Sequence, residues 1–250
     1  MTKLNMLGNA FGCHRLRYLP AICLSVLVFA GPLVAGENYL EANQPDGIAL
    51  LTSPPAPGSA EQAADLASVR TVFRARTAEE LAGAEKRASL SIYNFSPAIG
   101  EFFVAGKFPK VDDLMERVKT NSTPAINAPK EHWNRLRPYQ VDPALTVGKA
   151  ERNASYPSGH ATRGMEQALV LAELFPEKRE AILEFGRKIG WDRVLIGKHF
   201  PTDVYAGRVL GQAIVREMMK SEAFQRDLAA AKAEVREMKA AVQTLQPVGK

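Results

Sequence analysis

Apolar residues along this chain recur at helical spacing, and no sustained strand alternation appears. From about Glu61, the residues Leu66, Val69, Val72 and Phe73 lie on one stripe, which Leu81 and Ala84 continue. Val111, Leu114, Met115 and Val118 share a face and predict a helix over 111–119. The stretch 90–95 has the composition of a strand, but Pro97 and Gly100 follow at once, so a short helix or loop is expected. A run opening at Ser158-Gly159-His160 predicts a helix to about Phe175, with Leu169, Val170, Leu171 and Ala172 mostly buried. In the next helix, over 179–198, Ile182, Phe185 and Ile189 form the apolar stripe, and Arg193 continues it. Pro201 suits a helix start and Thr202 a cap. The helix they open carries Val204, Gly207, Val209, Leu210, Gly211, Ile214 and Met218, with glycines that permit close packing. Residues 223–245, rich in Ala, Lys and Glu, predict an exposed terminal helix that packs on a partner subunit, without the sustained heptad of a coiled coil. The expected fold is all-α, a compact single-domain helical bundle over 61–250 preceded by an irregular, proline-rich segment at 37–60.

The first 36 residues stand apart. Lys3, Arg15 and Arg17 precede the apolar run 19–30, and Ala35-Gly36 supplies small residues for cleavage. This is the order of a secretory signal peptide. An uncleaved anchor is the alternative, but the apolar core is short for a span and Pro20 and Pro32 bracket it. Cleavage removes both cysteines, Cys13 and Cys23, and lowers the net charge from +5 to +2. The high whole-chain pI then gives no argument for nucleic-acid binding, and no later apolar run is long enough for a membrane span. The mature protein is expected in the periplasm.

Three segments carry complementary chemistry. Lys130 and Arg137 lie seven positions apart, two turns of one helix face if the segment is helical, with Pro138 following. By itself this could be a solvated basic face. Tyr156-Pro157-Ser158-Gly159-His160 opens a helix, where unpaired N–H groups and the dipole favour an anion. Ser158 can cap or donate, Gly159 admits a ligand close to the backbone, and His160 adds a titratable group. By itself this could be ordinary turn chemistry. Arg193, His199 and Asp203 form the third segment, in which Asp203 can fold back onto His199 within one turn or across the cap.

The ordered set Lys130-x6-Arg137-Pro138, Pro157-Ser158-Gly159-His160 and Arg193-x5-His199-x3-Asp203 closely resembles the signature of the type 2 phosphatidic acid phosphatase (PAP2) superfamily. More narrowly, the chain resembles the bacterial class A non-specific acid phosphatases. The leader, Pro54-Pro55-Ala56-Pro57-Gly58-Ser59 and the Ala223-Phe224-Gln225 helix extend the likeness over the whole mature chain. The resemblance implies an all-α fold of the PAP2/vanadium haloperoxidase type. It also implies metal-independent, broad-specificity hydrolysis of small phosphate monoesters, with no cofactor and with vanadate as inhibitor. By similarity His199 is the nucleophile that forms a phosphohistidine, Asp203 holds its other nitrogen, and His160 is the general acid. Lys130, Arg137, Ser158, Gly159 and Arg193 then hold the phosphate, and a homo-oligomer, dimer or larger, is expected.

One position departs from the pattern. The family usually has Ser before the motif arginine, and this chain has Asp192. Neighbours on a helix project about 100° apart, so this carboxylate is expected to point away from the phosphate or to brace a cation. Competing readings are a vanadium haloperoxidase, whose chains are larger, a soluble lipid-phosphate phosphatase, and a non-catalytic phosphate-binding relative, for which retaining both His160 and His199 would be unnecessary. The aromatic-containing stretches 93–103 and 139–147 are candidates for the leaving-group pocket.

Overall fold

The structure is a computed structural model that describes residues 37–42, 44–146 and 148–245, so the expected leader lies outside it. Helices make up all the regular structure of these residues. A short α1 (Gly47–Leu50) precedes α2 (Ala60–Ala75) and α3 (Ala78–Arg87), and α4 (Ser96–Ile99) follows a 3₁₀ turn at Ile92–Phe95. The long α5 (Pro109–Trp133) leads through α6 (Pro138–Val141) to α7 (Gly159–Leu174), α8 (Arg179–Leu195), α9 (Pro201–Met218) and α10 (Glu222–Leu245).

Local chemistry sets several of these boundaries. The stripe expected to run on from Val72 to Ala84 is divided between two helices. Thr77 caps α3 through its hydroxyl on Glu80 N, and Glu80 returns a bond to the Thr77 N–H. Conversely, α5 is much longer than 111–119 and continues through Pro124 and Pro129. It stops at Asn134, which takes a left-handed conformation (φ 42) and returns its N–H to Lys130 O.

The bundle is built around α7, with α8 and α9 against it at glycine contacts. A Cβ on Gly186 would lie 2.7 Å from Gly164 O, and one on Gly207 would lie 2.5 Å from Ser158 O. Side chains are excluded at both points, so the middle of α8 lies against α7 past its first turn and the first half of α9 against the start of α7. Away from that end, Phe95, Phe103, Phe108 and Phe175 are fully buried in the main apolar core. The stretch 93–103, considered above for the leaving group, therefore serves packing with Phe95 and Phe103.

The terminal helix corrects an expectation. Phe224, Leu228, Ala231 and Val235 recur at helical spacing and are buried within the same chain, where α10 packs on α5 and α7. Its apolar face is covered from within and is not left exposed for a partner. Tyr39, from the leading segment, is buried edge-on against Phe224 at 5.2 Å.

Candidate active site

Lys130, Arg137, Arg193, His199 and Asp203 converge beside the first turn of α7, where Ser158, Gly159 and His160 stand. Lys130 and Arg137 reach the site differently from the expected two turns of one helix. Lys130 lies in the last turn of α5, whereas Arg137 lies beyond the Asn134 turn, in extended backbone before α6. Pro138 at the first position of α6 agrees with that extended conformation.

Lys130 is buried and donates to Ala154 O at 2.8 Å and Pro157 O at 2.6 Å. An ammonium has three N–H bonds, so one more can serve an anion. Burial, then the neighbouring Arg137, lowers its pKa to about 7. Arg137 is fixed by Asn153 O (2.9 Å), Asn153 Oδ1 (2.7 Å) and Lys198 O (2.9 Å). Arg193, in the last turn of α8, donates through Nη2 to Glu151 at 2.6 Å, while its buried Nε has no protein partner. An anion in the site could accept from that orphaned donor.

The histidine that follows Arg193 is positioned by a turn. Gly197 has φ +69, and a Cβ there would fall 2.5 Å from Leu145 O. The turn brings the N–H groups of Lys198 and His199 onto Arg193 O at 2.9 and 3.1 Å. His199 is buried, with Nε2 3.2 Å from Arg137 Nη1 and Nδ1 3.3 Å from both Asp203 Oδ2 and Ser155 Oγ. A guanidinium can only donate, so the network assigns a lone pair to Nε2 and the proton to Nδ1. Burial, followed by the charges of Arg137, Lys130 and Arg193, holds the His199 pKa well below its usual value. The ring is neutral.

Asp203 is the third residue of α9 and folds back across the helix start. Its Oδ2 accepts from Phe200 N at 2.8 Å and from Ser155 Oγ at 2.5 Å, as well as facing His199. Thr202 does not cap α9; its hydroxyl donates to Asp65 Oδ2 at 2.5 Å. Burial raises the Asp203 pKa, and Arg135 opposes that shift. Arg135 donates to Asp203 Oδ1 at 2.6 Å and to Asp65 Oδ2 at 2.8 Å, with its guanidinium over the Phe200 ring.

Ser158 caps α7 through Ala161 N at 3.3 Å, and its own N–H bonds Asp203 O at 2.9 Å. A Cβ on Gly159 would meet no protein atom closer than 3.7 Å. Its neighbours therefore do not require glycine there, and close approach of a ligand remains a reason for it. His160 Nε2 lies 3.2 Å from Ala88 O. A carbonyl only accepts, so this nitrogen carries a proton and Nδ1 is left for chemistry. Burial, then Arg193, lowers the His160 pKa to about 4, against a raising effect of the Ala88 bond and Glu151.

Asp192 braces a cation, one of the two outcomes expected for it. Arg87 grips it through Nε at 2.5 Å and Nη2 at 3.0 Å. Arg135, Ser155, Glu151, Lys198 and Arg87 all belong to the site or its support without having been singled out in the sequence.

The PAP2 superfamily model matches residues 120–227. A non-specific acid phosphatase of Providencia stuartii is 32% identical over 212 residues, covering 80% of this chain and 86% of that protein. An acid phosphatase of Zymomonas mobilis is 30% identical over 209 residues, covering 80% and 79%. A non-specific acid phosphatase of Salmonella typhimurium is 30% identical over 162 residues, covering 61% and 65%.

Proposed function

As the chain belongs to the non-specific acid phosphatases of the PAP2 superfamily and is thus a phosphatase, we propose that it hydrolyses phosphate monoesters broadly through a phosphohistidine on His199. The observation that carries this reading is the His199 network: Nδ1 faces Asp203 and Nε2 faces Arg137. That tautomer offers a lone pair at the nitrogen nearest the cations.

The phosphate would lie among Lys130, Arg137, Arg193 and the first turn of α7. The His199 Nε2 lone pair attacks phosphorus, and the ester P–O bond breaks with its electrons on the departing oxygen. His160, protonated once the phosphate's negative charge offsets the neighbouring cations, transfers a proton to that oxygen. In the second half a water loses a proton to His160 and attacks phosphorus. The P–N bond breaks, freeing His199 and inorganic phosphate. Asp203 stabilises the charge that His199 gains during the attack, and the three cations stabilise the equatorial oxygens. Nothing in this sequence of steps calls on a metal.

The chain carries the basic, apolar and small-residue order of a secretory leader, which supports export to the periplasm. No described helix is long and apolar enough to cross a membrane. Homo-oligomerisation stays part of the reading, through a surface other than the covered face of α10.

The test is hydrolysis of a chromogenic phosphate ester with a chelator present, comparing wild type with His199→Ala. Wild type should stay active, should be inhibited by vanadate and should yield an acid-labile phosphoenzyme on rapid quench. Loss of activity in the chelator, or full activity in His199→Ala, would overturn the mechanism.

A further inference from the structure

The cation cluster contains a carboxylate for which the steps above have no use. Glu151 lies in the loop between α6 and α7, its side chain about one-third exposed (35%), and its Oε1 accepts from Arg193 Nη2 at 2.6 Å. Its backbone is held separately, with the Glu151 N–H on Tyr139 Oη at 3.0 Å. The side chain can therefore leave Arg193 while the backbone stays tethered.

Nε and Nη2 form the edge of a guanidinium that grips two oxygens of one anion. Arg87 uses that edge in full on Asp192. On Arg193 the edge is half used, with Glu151 on Nη2 and a buried Nε without a protein partner. A phosphate bound side-on would take both nitrogens and would meet the Glu151 carboxylate at the second. Two anions competing for one N–H in a partly buried site repel each other.

We propose that Glu151 is an internal competitor of the substrate phosphate, its carboxylate holding Arg193 Nη2 until a phosphate oxygen displaces it. This rests on the phosphatase reading and adds a control of affinity to it. The exchange conserves the charge around Arg193, so the free site does not have to bury an unopposed guanidinium. It also sets how strongly an anion must bind, favouring dianionic monoesters over singly charged diesters.

Protonation of Glu151 should release Arg193. The groups facing it are Arg193 on α8, Arg137 before α6, His160 on α7, Lys130 on α5, Lys198 in the turn after α8, and the Tyr139 hydroxyl on α6. Burial would raise the Glu151 pKa, but Arg193, Arg137, His160 and Lys198 together bring it below the usual value. Competition thus persists over the mildly acidic range and fades only below the ordinary carboxylate range.

The experiment is calorimetric titration of inorganic phosphate into wild type, Glu151→Gln, Arg193→Ala and the double variant, with ester hydrolysis measured alongside. At pH 6.5, Glu151→Gln should bind phosphate roughly tenfold more tightly than wild type. The ratio between the two should hold through the mildly acidic range and shrink toward one only as pH falls below the ordinary carboxylate range, a comparison in which the titration of phosphate itself cancels. In the Arg193→Ala background, replacing Glu151 should change the affinity little. Equal or weaker phosphate binding by Glu151→Gln, or the same gain without Arg193, would overturn the proposal. Glu151→Ala checks that the glutamine amide has not formed a new bond. Wild type that hydrolyses the ester while Glu151→Gln shows no gain removes this inference alone. Wild type that neither binds phosphate nor hydrolyses the ester removes the phosphatase reading, and the inference with it.

Discussion

Arg135 joins Asp203 from the side opposite His199: its Nη1 lies 2.6 Å from Asp203 Oδ1, while His199 Nδ1 faces Oδ2 at 3.3 Å. Both charged groups are buried, so each depends on the other. Removing the cation leaves a carboxylate that burial already pushes toward protonation. A protonated Asp203 no longer fixes the His199 tautomer. Arg135→Met should therefore lower kcat by roughly 10²-fold and cost about 3–5 kcal/mol of stability. Steady-state kinetics and urea unfolding check the two effects. An unchanged kcat would show that Asp203 holds His199 without this support.

The neutral, buried state of His199 gives a second prediction, in stability. Its folded pKa is depressed well below the unfolded value. Its contribution is therefore complete above about pH 6.5 and is lost as pH falls toward the folded value, because the unfolded chain takes up the proton first. His160 acts in the same direction down to about 4, whereas the buried Glu166, raised to about 7, acts in the opposite one. Comparing wild type with His199→Gln isolates the single residue. Between pH 6.5 and 5 the variant should gain about 2 kcal/mol relative to wild type in urea unfolding. A difference independent of pH would mean that His199 takes up its proton as readily in the folded protein as in the unfolded chain.

The residues that converge at the candidate site were legible because their types and order are unusual together, and the helices because apolar spacing marks one face. Supporting residues carry no such signal. Arg135 is one of several basic residues in the run 130–137, and only the Asn134 turn sends its side chain toward Asp203 while Arg137 reaches His199. Glu151 sits in a stretch without periodicity, so its meeting with Arg193 depends wholly on the path of a loop. The terminal helix was misread for a different reason. Its buried stripe of Phe224, Leu228, Ala231 and Val235 is set in a helix otherwise rich in Ala, Lys and Glu, so composition outweighed spacing.

Lys130 should place an ionisation near neutrality on the alkaline side of catalysis. With a pKa of about 7 in the free site, it loses its charge, and with it one cation of the proposed phosphate cradle, as pH rises through neutrality. The kcat/KM profile reports ionisations of the free enzyme. It should show a fall above about pH 7 in addition to the limb that His160 sets, and Lys130→Arg should move that fall upward, since a guanidinium stays charged. Absolute activity of the variant will drop, because the larger group must fit between Ala154 O and Pro157 O. Using one ester for both proteins cancels the ionisation of the substrate. A limb that stays in place would assign it to another group.

Asp192 and Arg87 separate a structural effect from a catalytic one. The pair ties the end of α3 to α8, and the next residue, Ala88, offers its carbonyl to His160 at 3.2 Å. Asp192→Ser leaves Arg87 largely buried without its carboxylate, which should cost about 3 kcal/mol. The carboxylate is taken up by Arg87, so kcat/KM should stay within about tenfold, or roughly 1.4 kcal/mol. Replacing both partners, in Arg87→Leu with Asp192→Ser, removes the stranded charge and should recover much of the lost stability. If the end of α3 shifts in either variant, the Ala88 bond that raises the His160 pKa weakens, and the pKa assigned to His160 in the pH–rate profile should fall. A rate change far beyond tenfold with no movement of that pKa would show that Asp192 acts directly on the bound phosphate and not only through Arg87.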